Sequence, residues 1–562
     1  MAPAQTDGLE RFRTALSRAV AEMMGSDGVA VDFETPRNPQ HGDFATNVAF
    51  GLAKTMRRAP QAIATALLEG AFRADPGLQE MLQDASALAG FINVRMSAAY
   101  WHNAVRRILR ENNDYGRGAP TGVHVSLEFG SANPTGPLSA VQGRTLSVGS
   151  TLANTMRFAG HAVTVEWITN DAGTQIDALG RSLYARYRQH WEPEYPFPED
   201  GYPGDYLLPI AGELVQTDGQ RWVHASEREW LPFFSRFGRD RIVAEQQSVA
   251  ESFGAHFDVW QSEKALHDQG AVEAGIARLR AMNLTYERDG ALWVRTTEYG
   301  DDEDRVVIRS DGRPTYYAGD VAYHYDKFAR GADLVIDILG PDHHGYIGRL
   351  NALAAAYDHP GGIEVLVSQQ MTLKRGEHTV SLSKRGGNIV TLREIMEEVG
   401  VDAARFFFVM PSPDSPLTFD LTLAKEQSDV NPVFYVQYGH ARIASIERRA
   451  TPEQCERAAR AEHLERLSEP EELALAKRLH EFPRVVRGAV EFRAPHRLTR
   501  YAREVAADFH QFYTACRVLV EDDEVRIARL ALARATKTIL ALVLGLAGVF
   551  APESMERLPV TS

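Results

Sequence analysis

The sequence predicts an α/β fold: a parallel sheet interrupted by an insertion, preceded by a small α+β domain and followed by an all-helical domain. Three observations predict it. A strand–turn–helix–strand unit between about 123 and 168 requires its two strands to run parallel. Two further strand patterns, Leu334–Leu339 and Ile363–Val367, return much later with a helical stretch, Arg349 to Tyr357, between them. From about residue 431 the strand patterns stop and apolar residues recur at helical spacing.

Residues 1–112 form the first predicted domain. Leu9, Phe12, Leu16 and Val20 line one face of a helix, and Gly90-Phe91-Ile92-Asn93-Val94 reads as a short closing strand. The turn-rich loop from Asn112 to Gly118 marks its end. The second domain, 113–430, opens with the alternation Val123, Val125, Leu127, Phe129. The turn Asn133-Pro134-Thr135-Gly136-Pro137 then leads into a helix through Leu146, Leu152 and Met156, stopped by Gly160, and a strand from Ala162 to Ile168. An insertion at about 181–315 begins with Trp191, Tyr195, Phe197, Tyr202 and Tyr206 and reads as an appended subdomain. In the third domain, 431–562, Leu475, Leu479, Phe482, Val486 and Val490 keep one helical face, and Val518 to Phe550 is also helical in pattern.

The chain has 61 Lys and Arg against 75 Asp and Glu, a net charge of −14 over 562 residues. That excludes a generally basic coat but not local basic patches, which are what a polyanion meets. Cys455 and Cys516 are the only cysteines, so neither a disulfide framework nor a four-cysteine zinc site is expected. The first residues lack the apolar core of a signal peptide. The apolar run Ile539 to Ala551 falls short of the roughly 20 residues that cross a bilayer and reads as a buried core helix. These features predict a cytoplasmic protein without membrane contact.

The turn at 133–137 sets free backbone N–H groups and a helix N-terminus where they can meet phosphate. It fits neither GxGxxG nor GxxxxGK[ST], and an ordinary βα connection has the same outline. Asp342-His343-His344 follows a sheet strand, where open α/β sheets hold ligands. As a metal set it is weak, since no third ligand is evident, and no metal site is expected. Lys384 stands before Gly386-Gly387 on a loop pattern, where a point charge can neutralise leaving phosphates. The arginines from Arg442 to Arg503, with Tyr501, Phe509, Phe512 and Tyr513 close by in sequence, have the mixture that RNA contact uses. A solvated helical face balanced by Glu491, Glu504 and Asp508 has the same composition.

These residues together resemble the arginyl-tRNA synthetases, a class I family. The resemblance is carried by Glu128-Phe129-Gly130-Ser131-Ala132-Asn133-Pro134-Thr135-Gly136-Pro137-Leu138, by Asn170 to Gln175, and by Gly290 to Trp293. It continues through Tyr316 to Lys327, Gly340 to Tyr346, Ser381 to Arg385, and the run from Asn431 to Arg442. His41 to Asn47 resembles the family's N-terminal add-on domain, so essentially the whole chain is covered in order. The resemblance implies a class I nucleotide-binding sheet, a tRNA-facing N-terminal domain and a helical anticodon-binding domain. It implies ATP-dependent ligation of L-arginine to tRNA(Arg) through an arginyl-adenylate, with Mg²⁺ accompanying ATP and the protein acting as a monomer.

Residue by residue, the resemblance assigns ATP contacts to Pro134, Thr135, Gly136, Pro137, Val141, Gly340, Asp342, His343, Ser383 and Lys384. It assigns arginine contacts to Glu128, Asn133, Gln175, Tyr316, Asp320 and His344, and tRNA contacts to Tyr438, Arg442, Arg497 and Arg500. A guanidinium offers five donors in a rigid fork, which carboxylates such as Asp320 can accept. The family's HIGH tetrad reads Ser139-Ala140-Val141-Gln142 here, and its KMSK loop keeps only the last lysine, Lys384. Ser139 and Gln142 are expected to replace the tetrad histidines as donors beside Lys384, with Val141 in place of the glycine. The same departure leaves a second reading open: a paralogue impaired in activation that binds tRNA, ATP or arginine in another role.

Overall fold

The computed structural model describes residues 8–25, 29–36, 38–171, 173–340, 347–380 and 390–555. The chain divides into two compact units, one of residues 1–115, 442–482 and 504–539, the other of 116–441, 483–503 and 540–562.

In the first unit, β1 (Phe44–Thr46), β2 (Leu82–Leu88) and β3 (Phe91–Met96) make an antiparallel sheet with β3 central. Phe12, Leu16, Ala19 and Val20 of the helix Gly8–Met24 are buried, as their spacing requires. Asp43 accepts from Lys477 Nζ at 2.7 Å, and Tyr100 Oη lies 2.9 Å from His480 Nε2, joining the N-terminal segment to the helix Pro470–His480.

The second unit is built on five parallel strands. They are β4 (His124–Glu128), β5 (Ala162–Thr169), β6 (Val259–Ser262), β10 (Leu334–Leu339) and β11 (Ile363–Val367), in the order β11-β10-β4-β5-β6. The helix Ala140–Phe158 crosses β4 closely because position 149 is glycine. A Cβ there would stand 2.1 Å from the Phe129 ring. Trp167 of β5 is fully buried and stacks on Trp260 of β6 at 4.7 Å, edge-on to Phe257. Such aromatic pairs add about 0.5–1.5 kcal/mol beyond area burial.

Four of these strands match the expected ones. The fifth, β6, lies inside the stretch 181–315, so that stretch does not stand wholly apart from the sheet. Three short antiparallel strands, β7 (Thr285–Arg288), β8 (Ala291–Val294) and β9 (Arg305–Ile308), make a second sheet, and the helix Tyr316–Ala329 packs on β9. Strands β12 (Met371–Arg375), β13 (His378–Val380) and β14 (Leu417–Asp420) form a third. Among the described residues, every regular element after 431 is helical. Ile539, Leu540, Val543 and Leu544 are core residues of the helix Asp523–Leu546, and no described helix is long and apolar enough to cross a membrane.

Two arginines are sealed inside this unit. Arg144 donates to the carbonyls of Gln369 (2.8 Å), Ser412 (3.1 Å) and Ser415 (2.7 Å). Arg405 donates to Phe253 O (2.9 Å), Ala547 O (3.1 Å) and Ser150 Oγ (2.7 Å). Burial pulls each guanidinium down to about 10, and carbonyl and hydroxyl oxygens rather than carboxylates accept their hydrogen bonds.

Candidate active site

The C-terminal end of β4 delivers Glu128 into a buried cluster of charges. Lys327 Nζ, from the helix Tyr316–Ala329, donates to Glu128 Oε2 at 2.9 Å and to Asp337 Oδ1 of β10 at 2.7 Å. Ser131 Oγ donates to Glu128 Oε1 at 2.9 Å. His324 places Nε2 at 2.8 Å from Asp337 Oδ2 and Nδ1 at 2.8 Å from the carbonyl oxygen of Asp320. Both ring nitrogens face acceptors, so the ring is satisfied as an imidazolium. Burial opposes the charges on Lys327 and His324, yet the Asp337 carboxylate outweighs it and raises both pKa values. Asp337 is correspondingly held below the usual carboxylate range, against its burial, by Lys327 and His324.

One turn before His324, the Asp320 carboxyl has no hydrogen-bonding or ion-pair partner among the described residues. Its carboxyl is pushed up to about 7, chiefly by burial, with Asp337 and Glu128 adding to the shift and His324 opposing it. His324 and Arg349 act on this carboxyl only through their charge, leaving it open to a cationic ligand. Tyr316 does lie one turn earlier on the same helix, as the four-residue spacing predicts, but its ring is 78% exposed.

The turn after β4 runs from Asn133 to Pro137 with Pro134 and Thr135 buried. Asn133 Oδ1 accepts from Asn170 Nδ2 at 3.2 Å. Gln175 is exposed in the first turn of the helix Thr174–Gln189. Just ahead of that helix, the buried Asp171 carboxylate accepts from Ser262 Oγ (2.9 Å) and the Lys264 N–H (3.0 Å), which ties the helix start to β6.

The tetrad has a definite structural job. Ser139 is the N-cap of the helix Ala140–Phe158 and Gln142 its third residue, and together they form a capping box. Ser139 donates from its N–H (3.1 Å) and its hydroxyl (2.5 Å) to Gln142 Oε1. The Ser139 hydroxyl is thus committed within the protein and is not a free donor for a ligand, contrary to the sequence expectation. The Gln142 amide nitrogen has no partner among the described residues. Val141 turns outward, 38% exposed. Thr391 pairs with Ser139 through a backbone bridge, and the Leu392 N–H donates to Leu138 O at 2.8 Å, so the chain returning from the lysine loop closes on the tetrad.

Gly340 ends β10 without crowding. Asp342, His343, His344, Ser383 and Lys384 lie outside the described residues. Among the expected RNA contacts, Arg497 and Arg500 are exposed, with Arg497 over the Phe492 ring at 4.8 Å. Tyr438 is half-buried and stacks on Phe434. Arg442 donates to Tyr513 Oη at 3.1 Å. Tyr501, Phe509 and Phe512 are core residues at 2% exposure or less, which removes them as stacking platforms.

Sequence reasoning missed Lys327 and His324 as parts of the site, although both lie in the quoted block Tyr316–Lys327. It also missed Tyr206 and Gln246. The Tyr206 hydroxyl donates to Thr135 O at 2.5 Å, and Gln246 Nε2 donates to Asn133 O at 3.1 Å and Gly136 O at 2.8 Å.

Known families match along the chain in the expected order. Residues 10–96 match the arginyl tRNA synthetase N terminal domain, 224–409 the catalytic domain of the class I (R) tRNA synthetases, and 436–555 the DALR anticodon binding domain. The arginine–tRNA ligase of Syntrophotalea carbinolica is 44% identical over 528 residues, covering 93% of this chain and 95% of that protein. That of Moorella thermoacetica is 43% identical over 554 residues, 97% of this chain and 98% of the relative. Among solved structures, the arginyl-tRNA synthetase of Thermus thermophilus superposes with a TM-score of 0.75 at 24% identity over 97% of this chain and 100% of its own. That last likeness speaks for the fold, whereas the two ligases are similar in sequence over nearly their whole length. On that ground the chain belongs to the arginine–tRNA ligase family.

Proposed function

We propose that the protein joins L-arginine to tRNA(Arg) at the expense of ATP. The arginine carboxylate attacks the α-phosphorus of ATP, pyrophosphate leaves, and the arginyl-adenylate forms. The 2′-hydroxyl of the terminal tRNA ribose then takes the arginyl group and AMP departs. The observation that carries this reading is Asp320, a carboxyl without a partner beside a carboxylate-rich cluster, in a chain 44% identical to an arginine–tRNA ligase.

In this reading the guanidinium meets Asp320, with Tyr316, Glu128, Asn133, Gln175 and His344 around the amino acid. Lys327 keeps Glu128 from repelling its neighbours. ATP lies along Pro134–Pro137, Val141 and the N-terminus of the helix Ala140–Phe158, with Gly340, Asp342, His343 and Ser383 opposite. The Gln142 amide donates to a phosphate oxygen, while Ser139 acts through Gln142 as a positioning residue. Lys384 stabilises the phosphates in the transition state. Mg²⁺ would enter with ATP and would neutralise phosphate charge. Tyr438, Arg442, Arg497 and Arg500 face the tRNA. We read the protein as a cytoplasmic monomer with the three domains 1–112, 113–430 and 431–562.

Charging of tRNA(Arg) with labelled arginine, run beside ATP–pyrophosphate exchange with and without tRNA, tests the reading. Arginyl-tRNA formation supports it. Binding of tRNA with neither charging nor exchange would favour the impaired paralogue.

A further inference from the structure

Gln246 lies about two turns before the end of the helix Glu227–Ser252, within the stretch between β5 and β10, and is 1% exposed. Its amide nitrogen spans the turn after β4 from one carbonyl to another, Asn133 O at 3.1 Å and Gly136 O at 2.8 Å. Its own Oε1 is buried without a partner among the described residues. Tyr206, from the same stretch, donates to Thr135 O at 2.5 Å, and its ring packs over Gly136, where a Cβ would approach it to 3.4 Å. Three carbonyls within four consecutive residues are thus held from outside the strand and helix that the turn connects. Each bond fixes the orientation of one peptide plane in the turn that leads into the N-terminus of the helix Ala140–Phe158, where a phosphate would be met.

We infer that Gln246 and Tyr206 are positioning residues that shape the Asn133–Pro137 turn for ATP. This rests on the reading of the chain as an ATP-using ligase and extends it to a part of the molecule to which no role has been assigned. The effect is specific to the nucleotide. The Asn133 side chain, on the arginine side of the turn, has its own anchor in Asn170 Nδ2.

The test uses the full chain. Gln246→Met keeps the shape and apolar packing of the side chain and removes both hydrogen bonds. It is expected to raise the KM for ATP, and the calorimetric Kd for a non-hydrolysable ATP analogue, about tenfold. The KM for arginine is expected to rise by no more than about twofold, because the Asn133 side chain keeps its separate bond to Asn170 Nδ2. Tyr206→Phe removes one bond and raises the ATP values about threefold. Wild-type ATP affinity in Gln246→Met, or an equal rise for arginine and ATP, would overturn the inference. Should Gln246→Met fail to fold, Tyr206→Phe decides by the same criteria. A wild-type protein that binds the analogue yet charges no tRNA removes the proposed function while the positioning effect is still measured. Absence of analogue binding removes both.

Discussion

Lys327 Nζ lies 2.7 Å from Asp337 Oδ1 with both side chains buried, and the same ammonium reaches Glu128 Oε2 at 2.9 Å. One cation therefore holds two carboxylates that come from neighbouring strands, β4 and β10. Replacing Lys327 by Met removes the one ammonium that two buried carboxylates share, leaving Asp337 with His324 and Glu128 with Ser131, which costs about 3–5 kcal/mol. Urea unfolding should show this as a lower midpoint with an unchanged slope. The variant should recover part of the loss at acidic pH, where the carboxylates take up protons.

Asp320 gives the proposed arginine site a pH dependence. Its carboxyl is pushed up to about 7, and a guanidinium bonds well only to the ionised form. Below pH 7 a proton must leave before arginine binds, so the KM for arginine rises up to about tenfold per pH unit and is flat above 7. The sign for stability is the reverse of the usual carboxylate case. The folded value exceeds the ordinary 3.8, so the folded state holds more protons between about 4 and 7 and loses stability as pH rises through that window. Asp320→Asn should raise Tm at pH 8 more than at pH 5, and it should abolish arginine binding at both.

The capping box separates stability from rate. Ser139→Ala removes the cap and should cost about 1 kcal/mol, read by thermal or urea unfolding. Gln142→Glu preserves the acceptor that Ser139 uses, so stability is expected to hold. It exchanges the amide donor for a negative charge, so the activation rate should fall about 10²–10³-fold in pyrophosphate exchange. Neither Ser139 nor Gln142 titrates near neutrality, so any imidazole limb in the pH–rate profile has to come from elsewhere than the tetrad.

Lys384→Ala should lower kcat for charging by about 10²-fold or more, with the Kd for tRNA unchanged within error. A filter-binding measurement alongside the charging assay separates the two quantities.

The sheet was legible where strands are long and buried. His124–Glu128, Ala162–Thr169, Leu334–Leu339 and Ile363–Val367 all carry β-branched or apolar runs. Val259–Ser262 escaped because it has four half-buried residues at the sheet edge, too few to set a period. Aromatic residues in an arginine-rich helix invite an RNA reading, but Tyr501, Val505, Phe509 and Phe512 repeat at three and four residues and fill the core. In the candidate site, the place of Asp320 one turn after Tyr316 on a helix was legible from the four-residue spacing, whereas the hydrogen bond of the Ser139 hydroxyl to Gln142 in the capping box was not. Gln246 and Tyr206 left no signal at all. They act on backbone carbonyls far away in sequence, and a carbonyl has no residue identity to read.

The neighbours of β4 also set an order of assembly. Strand β5 is available to it soon after synthesis, but β10, and Lys327 with it, is still to be translated. At about 5–20 residues per second, the ribosome takes roughly 10–30 s to travel from Thr169 to Leu334. Through that interval the nascent chain carries a strand with one open edge and a carboxylate whose counter-ion has not yet been made. The segment between β5 and β10 is therefore the delay line of this enzyme's birth. Its own helices, which need only local contacts, are free to fold while the sheet waits for β10.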